Sequence, residues 1–231
     1  MGAPRRRDIG ADAGGLVIRL ALLLVVVAVA AAAALLGVSA TAAPDLGDAP
    51  RGPADGPDQP TIAATLGTRL ATALLVQPTA LASLSEADLT VIVRAGNPHP
   101  DSFGDPEARV RDGLVVVDGA TDVGPLHVTA VGRFAVSLVH DADGTPDIAA
   151  ALREVDAGKL TLPGFVRDRL ASDLEASAGI GRVLSSAPSL FRLRPFLDCV
   201  AVSADSVVLG FHRPGSAPAP GACAPGPTPA A

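Results

Sequence analysis

The sequence predicts an α+β domain, in which a curved antiparallel sheet packs against one or two helices, preceded by a single N-terminal transmembrane helix. Residues 126–140 alternate apolar and polar side chains, as expected of a long strand with one buried face. Tight turn sequences join the neighbouring strand candidates, which favours antiparallel pairing. Residues 20–40 contain no charged side chain, and this run predicts the membrane segment.

The uncharged run at residues 20–40 would form a helix of roughly 31 Å, about one hydrocarbon thickness of a bilayer. Arginines precede this run and aspartates follow it. The positive-inside rule therefore predicts that residues 1–19 are cytoplasmic and that the rest of the chain is extracytoplasmic. The predicted location is the cell membrane with a single pass, and the membrane is the first predicted partner.

A cleaved signal peptide is the alternative interpretation of the same run. Two small-x-small sequences, Val38-Ser39-Ala40 and Ala40-Thr41-Ala42, are candidate cleavage sites. The apolar run is longer than the roughly 7–15 residues of a signal-peptide core, which favours an uncleaved anchor. Either outcome leaves an extracytoplasmic domain, and cleavage would make it a secreted protein.

Two stretches rich in Pro, Gly, Asp and Ala flank the part of the chain that can build a core. Residues 41–60 and residues 214–231 contain almost no large apolar side chain, which is typical of disordered spacers. The folded domain is therefore predicted to span residues 61–213, with a linker before it and a tail after it.

The first part of the domain is predicted to contain one long helix and one strand. After Thr61 as the N-cap, apolar residues recur at helical spacing as far as Gln77. Residues 85–88 indicate a single helical turn, and residues 89–94, LTVIVR, have the composition of a strand. Residues 97–106 are rich in Pro and Asp and predict a loop.

Residues 108–119 are predicted to form a β-hairpin, because Asp112-Gly113 lies between two β-branched runs. Residues 126–140 follow as the longest strand, and Gly132 in its middle predicts a bend or bulge. Successive strands joined in this way build the predicted antiparallel sheet.

The last part of the domain is predicted to pass from strand to helix and back to a hairpin. A turn at residues 141–144 leads into a strand over residues 145–158. Pro163 is well suited to the first turn of a helix, because its missing N–H has no partner there. A final hairpin is predicted to join residues 199–202 to residues 207–211.

The composition excludes several classes of function. The formal net charge is −6, and the chain has no Trp and no Tyr. The part after the apolar run has 14 basic and 22 acidic residues, a charge of about −8. This acidic part is therefore a poor nucleic-acid binder, and it lacks the aromatic platforms that stack on sugars. Neither a Walker A nor a G-x-G-x-x-G sequence is present. We therefore expect no nucleic-acid partner and no cofactor.

The only local cluster of reactive residues is the loop at residues 97–105, which contains His99, Asp101, Ser102 and Asp105. The residues of a catalytic triad meet through tertiary folding, and the chain has no G-x-S-x-G elbow. The aspartates also lack the spacing of a calcium loop. We interpret the loop as a turn, so that no catalytic residue and no metal site is predicted, and the protein is not expected to be an enzyme.

The two cysteines, Cys199 and Cys223, allow two interpretations. Outside the cytoplasm a pair of cysteines usually forms a disulfide, which would fasten the tail across the strand that contains Cys199. Two free thiols are the alternative. No Cys-x-x-Cys spacing accompanies them, which argues against a zinc site.

The segments RVRDGLVVVDG, DGTP and VDAGKLTLPGFVRDRL, in this order around the long strand, resemble membrane-anchored bacterial envelope proteins of the YpmS type. They are also similar to the actinobacterial lipomannan-elongation-maintenance proteins. The resemblance covers about residues 85–175 and the N-terminal anchor. It implies a tubular lipid-binding fold, in which a long curved sheet wraps around a helix.

The resemblance further implies an apolar groove between the sheet and the helix that follows Pro163. Such a groove would bind acyl lipid, because each buried CH₂ contributes about 0.8 kcal/mol. The alternative is a fully packed core, in which case the domain would be a structural or protein-interaction module of the envelope. The candidate groove residues are Val128, Phe134, Val136, Leu138, Ile148, Leu152, Leu162, Phe165, Val166 and Leu170.

Overall fold

The structure is a computed structural model that describes residues 36–47, 58–97, 100–101, 103–123, 126–164, 168 and 188–224. It confirms the α+β class, with two antiparallel sheets and a few helices. Most of the predicted membrane segment 20–40 lies outside these residues. Within the described ranges, no helix has both the length and the apolar character that a membrane crossing requires.

Along the chain, one helix directly precedes the first strand and another follows it. Residues 36–41 are helical. The helices whose two ends are both described are α1 (Gln59–Val76), α2 (Glu86–Gly96) and α3 (Pro188–Leu193), and a 3₁₀ turn (Arg194–Phe196) follows α3. The strands are β1 (Thr79–Ser85), β2 (Gly104–Arg111), β3 (Leu114–Val123), β4 (Leu126–His140), β5 (Pro146–Ala157), β6 (Leu160–Thr161), β7 (Leu197–Val202) and β8 (Ser206–His212).

The strands form two sheets, so the prediction of a single curved sheet is wrong. Strands β2 to β6 follow one another as a five-stranded antiparallel meander. Strands β7 and β8 form the predicted final hairpin, but this hairpin pairs with β1 in a separate sheet of order β1-β8-β7. The single-sheet prediction failed because β1, the partner of the hairpin, is built mostly of small residues and shows only a weak strand pattern.

The N-cap of helix α1 lies three residues before the predicted one. Asp58, not Thr61, occupies the N-cap position, and its carboxylate accepts a hydrogen bond from the Thr61 N–H at 3.0 Å. Hydrogen bonds from Thr61 hold the pKa of the Asp58 carboxyl below its ordinary value. Pro60 lies in the first turn, where its missing N–H leaves no donor without a partner.

The prediction of a strand over residues 89–94 is wrong, because this segment belongs to α2. Ser85 caps the helix, and it exchanges hydrogen bonds with Asp88 in a capping box. Leu89, Ile92 and Val93 are buried at helical spacing. The N-terminal cap and this buried face outweigh the strand propensity of the β-branched residues.

The central hairpins agree with the sequence prediction. Asp112 and Gly113 both have positive φ, 52° and 74°, as a two-residue hairpin turn requires. Strand β4 has a register shift between Arg133 and Phe134, next to Gly132, where a bulge was predicted. The Phe134 ring lies over Gly132 and leaves no room for a side chain there.

The two sheets and the helices share one hydrophobic core. Its members come from every layer of the domain, and each large buried side chain contributes about 1.5–3 kcal/mol. Representative members that are at most 2% exposed are Leu70 of α1, Leu84 of β1, Ile92 of α2, Phe134 of β4 and Phe211 of β8.

A buried carboxylate fastens α2 to the edge of the five-stranded sheet. Glu86, the first residue of α2, is 1% exposed. Its Oε1 atom accepts hydrogen bonds from the Val110 N–H at 2.9 Å and from the Arg111 guanidinium. Thr90, one turn later, accepts a hydrogen bond from the Ala108 N–H at 3.0 Å. The helix that follows β1 is thereby held on β2.

The last residues of the predicted membrane segment, Ser39 and Ala40, and part of the predicted linker lie against the five-stranded sheet. The Lys159 N–H donates to the Ser39 carbonyl at 2.9 Å. Backbone atoms of Ala40 occupy the space that a Cβ atom of Gly158 would need, and Gly158 has φ +60°. Gly47 lies beside the Arg111 side chain on β2. Residues 39–47 therefore run along the domain from the end of β5 to β2.

Cys199 and Cys223 form a disulfide, as one of the two interpretations predicted. Gly210 permits this contact, because the two sulfur atoms lie where a Cβ atom of that residue would be. The Asp198 carboxylate also accepts a hydrogen bond from the Ala219 N–H at 2.9 Å. Part of the segment predicted as a disordered tail is therefore fastened across β7 and β8.

Removing the disulfide is expected to lower the free energy of unfolding. The two cysteines are 24 positions apart, and a closed loop of this size restricts the unfolded chain by about 3 kcal/mol. We expect the double substitution Cys199→Ala, Cys223→Ala to lower the urea midpoint accordingly. Dithiothreitol should leave the urea midpoint of the variant unchanged. It should lower the midpoint of the wild type toward that of the variant. Equal midpoints for oxidised wild type and variant would contradict the prediction.

Candidate functional site

An open cleft of about 480 Å³ lies between α1 and the edge strand β1. We call it the α1–β1 cleft. One wall is a stripe of α1, and the other is the edge of β1 together with the start of α2. The wall from α1 consists of Ile62, Thr65, Leu66, Arg69, Leu70 and Ala73, and the opposite wall consists of Leu81, Ala82, Ser83 and Asp88.

The helical wall follows directly from the spacing of apolar residues in α1. Ile62, Leu66, Leu70 and Ala73 recur every three or four positions and so lie on one face. Ile62 and Leu70 are buried in the core, while Leu66 and Ala73 are only partly buried. The stripe therefore packs on the core with one side and borders the cleft with the other.

Strand β1 pairs with β8 on one side only, and the pairing decides which of its main-chain groups face the cleft. In an antiparallel pair, alternate residues direct both their N–H and C=O groups at the partner strand. The Arg213 N–H donates to the Pro78 carbonyl at 2.8 Å, just before β1 begins. Counting by two from Pro78, the residues bonded to β8 are Ala80, Ala82 and Leu84.

The second contact that sets this register lies at the other end of β8. The Ser203 N–H donates to the Ser206 carbonyl at 2.8 Å, which directs Ser206 at β7 and Val207 at β1. Val207 is the partner of Leu84, so both contacts give the same register. Leu81 and Ser83 consequently direct their N–H and C=O groups away from β8, toward the cleft.

Arg69 is the one cation among the lining residues of the cleft. Among the described residues, no carboxylate lies within ion-pair distance of its guanidinium. Asp88 is the only acidic residue of the lining, and its carboxylate accepts hydrogen bonds from the N–H and the hydroxyl of Ser85 at 2.9 and 2.7 Å. The lining therefore carries one positive and one negative formal charge, and the Arg69 guanidinium is exposed and has no carboxylate partner among the described residues.

The described residues of the predicted groove lie elsewhere, on the five-stranded sheet or, for Leu162, directly after it, and none of these lines the α1–β1 cleft. Across β4 and β5, Phe134 pairs with Leu152 and Leu138 pairs with Ile148. Phe134, Leu152 and Ile148 are buried in the core. The others that are described are Val128, which is buried, and Val136, Leu138 and Leu162, which are partly buried against the core. Phe165, Val166 and Leu170 lie outside the described side chains. The acyl groove therefore stays a prediction.

The sequence did not reveal the residues of the cleft, because β1 carries little signal. Its sequence, TALASLS, alternates in burial, with Ala80, Ala82 and Leu84 inside and Leu81 and Ser83 outside. Two of the three buried residues are alanines, so the buried and exposed positions of β1 differ little in hydrophobicity. The capping box at Ser85 was the available signal, since a helix that begins there separates the preceding residues as an element of their own.

Two of the described histidines each contact a single carboxylate, and the third, His140, is exposed at the end of β4. His127 contacts Asp122 at 2.7 Å on the surface, and His212 contacts Asp198 at 2.7 Å next to the disulfide-bonded tail. His99 lies outside the described residues. In the described part of the chain, no three His, Cys, Asp or Glu side chains converge in the way a metal ion requires.

Ion pairs cross the face of the five-stranded sheet that is opposite to the core. Arg109 pairs with Asp118, and Arg133 pairs with both Asp156 and Glu154. Burial raises the pKa of the Asp118 carboxyl above its ordinary value, while the neighbouring Arg109 opposes the increase. These carboxylates each have a cationic partner, so the arrangement stabilises the sheet and leaves no free acid–base pair.

Comparison of the chain with protein families, with curated proteins and with solved structures gave no match.

The raised pKa of Asp118 predicts a pH dependence of stability. Folded Asp118 binds its proton more tightly than unfolded Asp118, so its contribution to the free energy of unfolding is largest at low pH. The contribution should fall as the pH rises from the ordinary pKa of 3.8 through the raised pKa of the folded protein. Urea unfolding between about pH 3 and pH 7 should show wild type losing stability relative to Asp118→Asn with rising pH.

Asp143 provides the matched control with the opposite sign. The Thr145 N–H donates to its carboxylate at 3.0 Å, and this hydrogen bonding lowers the pKa of Asp143. Wild type should therefore gain stability relative to Asp143→Asn as the pH rises, because the ionised carboxylate is favoured in the folded state. The same slope for both substitutions would contradict the assignment.

Proposed function

We propose that the chain is a membrane-tethered domain on the extracytoplasmic side that binds a ligand without catalysis, through the α1–β1 cleft. The uncharged run 20–40 and its preceding arginines support the tether and the orientation. The Cys199–Cys223 disulfide supports an oxidising compartment. Cleavage within the run would leave the same domain secreted.

The observation that carries the proposal is the composition of the cleft walls. One wall is mostly apolar, and the other presents main-chain donors and acceptors, an arrangement that binds a ligand and orients it. The polar side chains of the lining are Thr65, Arg69, Ser83 and Asp88. They do not form a nucleophile with an adjacent base, and Asp88 is engaged with Ser85. Binding is therefore the activity that these walls favour.

The acyl-lipid function implied by the sequence resemblance requires space on the inner face of the five-stranded sheet. Phe134, Ile148 and Leu152, three of its candidate residues, are between 2% and 7% exposed and belong to the continuous core. This packing favours the interaction module over lipid handling. We therefore place the proposed ligand in the α1–β1 cleft.

Photo-crosslinking tests whether the cleft is occupied in the cell. We expect p-benzoylphenylalanine in place of Leu81, which is 57% exposed at the cleft, to yield a discrete adduct in the native membrane. The same photoprobe in place of Val139, which is exposed on β4, is the control and should not yield this adduct. Mass spectrometry of the adduct identifies a protein or a lipid.

A cleft-filling substitution completes this test. Ala73→Trp places a large side chain in the helical wall, at a position that is only partly buried. The adduct at residue 81 should disappear in this variant, while the thermal unfolding temperature changes little. Identical adducts at residues 81 and 139, or an adduct that persists with Ala73→Trp, would contradict the proposed function.

A further inference from the structure

We propose that the α1–β1 cleft binds an extended peptide segment as an additional strand on β1, with an acidic side chain of the peptide held by Arg69. The inference rests on the proposed function and specifies the class of ligand. The partner is therefore a protein segment that is extended, and not a lipid or a second copy of this chain.

The edge of β1 provides the first reason. Leu81 and Ser83 direct two N–H and two C=O groups at the cleft, as the pairing with β8 requires. Hydrogen bonds among the described residues leave these four groups without a protein partner. An extended peptide backbone offers donors and acceptors at the same two-residue repeat, and an acyl chain offers none.

The lack of protection on this edge provides the second reason. Natural edge strands are usually blocked by charged residues, proline or a bulge. The sequence TALASLS contains no charged residue and no proline, and its register with β8 is regular over all seven pairs. Leu81 is 57% exposed beside this edge. The strand thus retains the features that permit another strand to be added.

The helical wall provides the side-chain specificity. In an added strand, alternate side chains point to the same face, and one set would meet the apolar stripe of Leu66 and Ala73 on α1. Arg69 lies within this stripe, is exposed and has no ion-pair partner among the described residues. A peptide that alternates apolar residues with one Asp or Glu is therefore complementary to both walls.

The same charge argues against a second copy of β1 as the occupant. Thr79–Ser85 contains no carboxylate that could pair with Arg69, and Asp88 is already used by the capping box. Edge-to-edge pairing of two copies would leave the positive charge without a partner. An acidic side chain from another protein would form an ion pair with Arg69.

The test uses the full chain in lipid nanodiscs and a display library of random decapeptides. Selection should enrich peptides that alternate apolar and polar residues and carry Asp or Glu. Arg69→Glu should instead enrich peptides with Lys or Arg at the corresponding position. Selection of the same acidic peptides by both proteins would overturn the assignment of Arg69, and failure to enrich any peptide would overturn the peptide ligand.

The strand-addition geometry is tested with a matched pair of substitutions. Ser83→Pro removes the N–H that points at the cleft and leaves the bonds to β8 in place, whereas Ser83→Ala keeps that N–H. Ser83→Pro should weaken binding of an enriched peptide by about tenfold or more, and Ser83→Ala should bind as wild type does. Equal affinities for the two variants, each shown to be folded by thermal unfolding, would overturn strand addition.

Two further outcomes separate this inference from the proposed function. A lipid adduct at residue 81 in the cell, with no peptide enriched, would refute the peptide and retain a binding cleft. Crosslinking of the chain to itself through residue 81 would refute the foreign partner in favour of a second copy. Loss of both the adduct and the peptides would refute both proposals.

Discussion

The antiparallel pairing of β1 with β8 is the constraint on which the position of the cleft depends. It joins residues 79–85 to residues 206–212, so that the start and the end of the domain form one sheet around the intervening meander. Because β8 also pairs with β7 on its other side, β1 is left as an edge. The register then fixes which main-chain groups of β1 face α1. A shift by one residue would turn these groups toward β8 and bury Leu81 in place of Ala82.

The elements around β1 are held so that its edge stays beside α1. Glu86 and Thr90 fasten α2 to β2, and the core joins α1, α2 and both sheets. The disulfide and Asp198 fix the tail across the outer side of β7 and β8. These contacts hold the elements around the small sheet, and the α1 side of β1 has no strand partner among the described residues. The cleft is therefore a consequence of how the two sheets are joined, and no single sequence motif encodes it.

The sequence predicts the elements whose signals are local and strong. The Asp112-Gly113 turn, the long alternation of β4 and the final hairpin all have patterns that short-range physical chemistry explains. The errors arose where local composition and tertiary structure disagree. LTVIVR has strand-forming residues but lies in a capped helix, and the small residues of TALASLS conceal a strand whose partner lies more than a hundred residues away. A cleft formed by such a long-range pairing could not be predicted from either segment alone.

Amide hydrogen exchange on β1 tests the central claim most directly, because it reports which N–H groups are hydrogen-bonded. The account predicts alternation along the strand. The amides of Ala80, Ala82 and Leu84 should be protected by β8, whereas those of Leu81 and Ser83 should exchange close to the unprotected rate. Uniform protection of all five amides would show that the edge is already paired and would contradict the account.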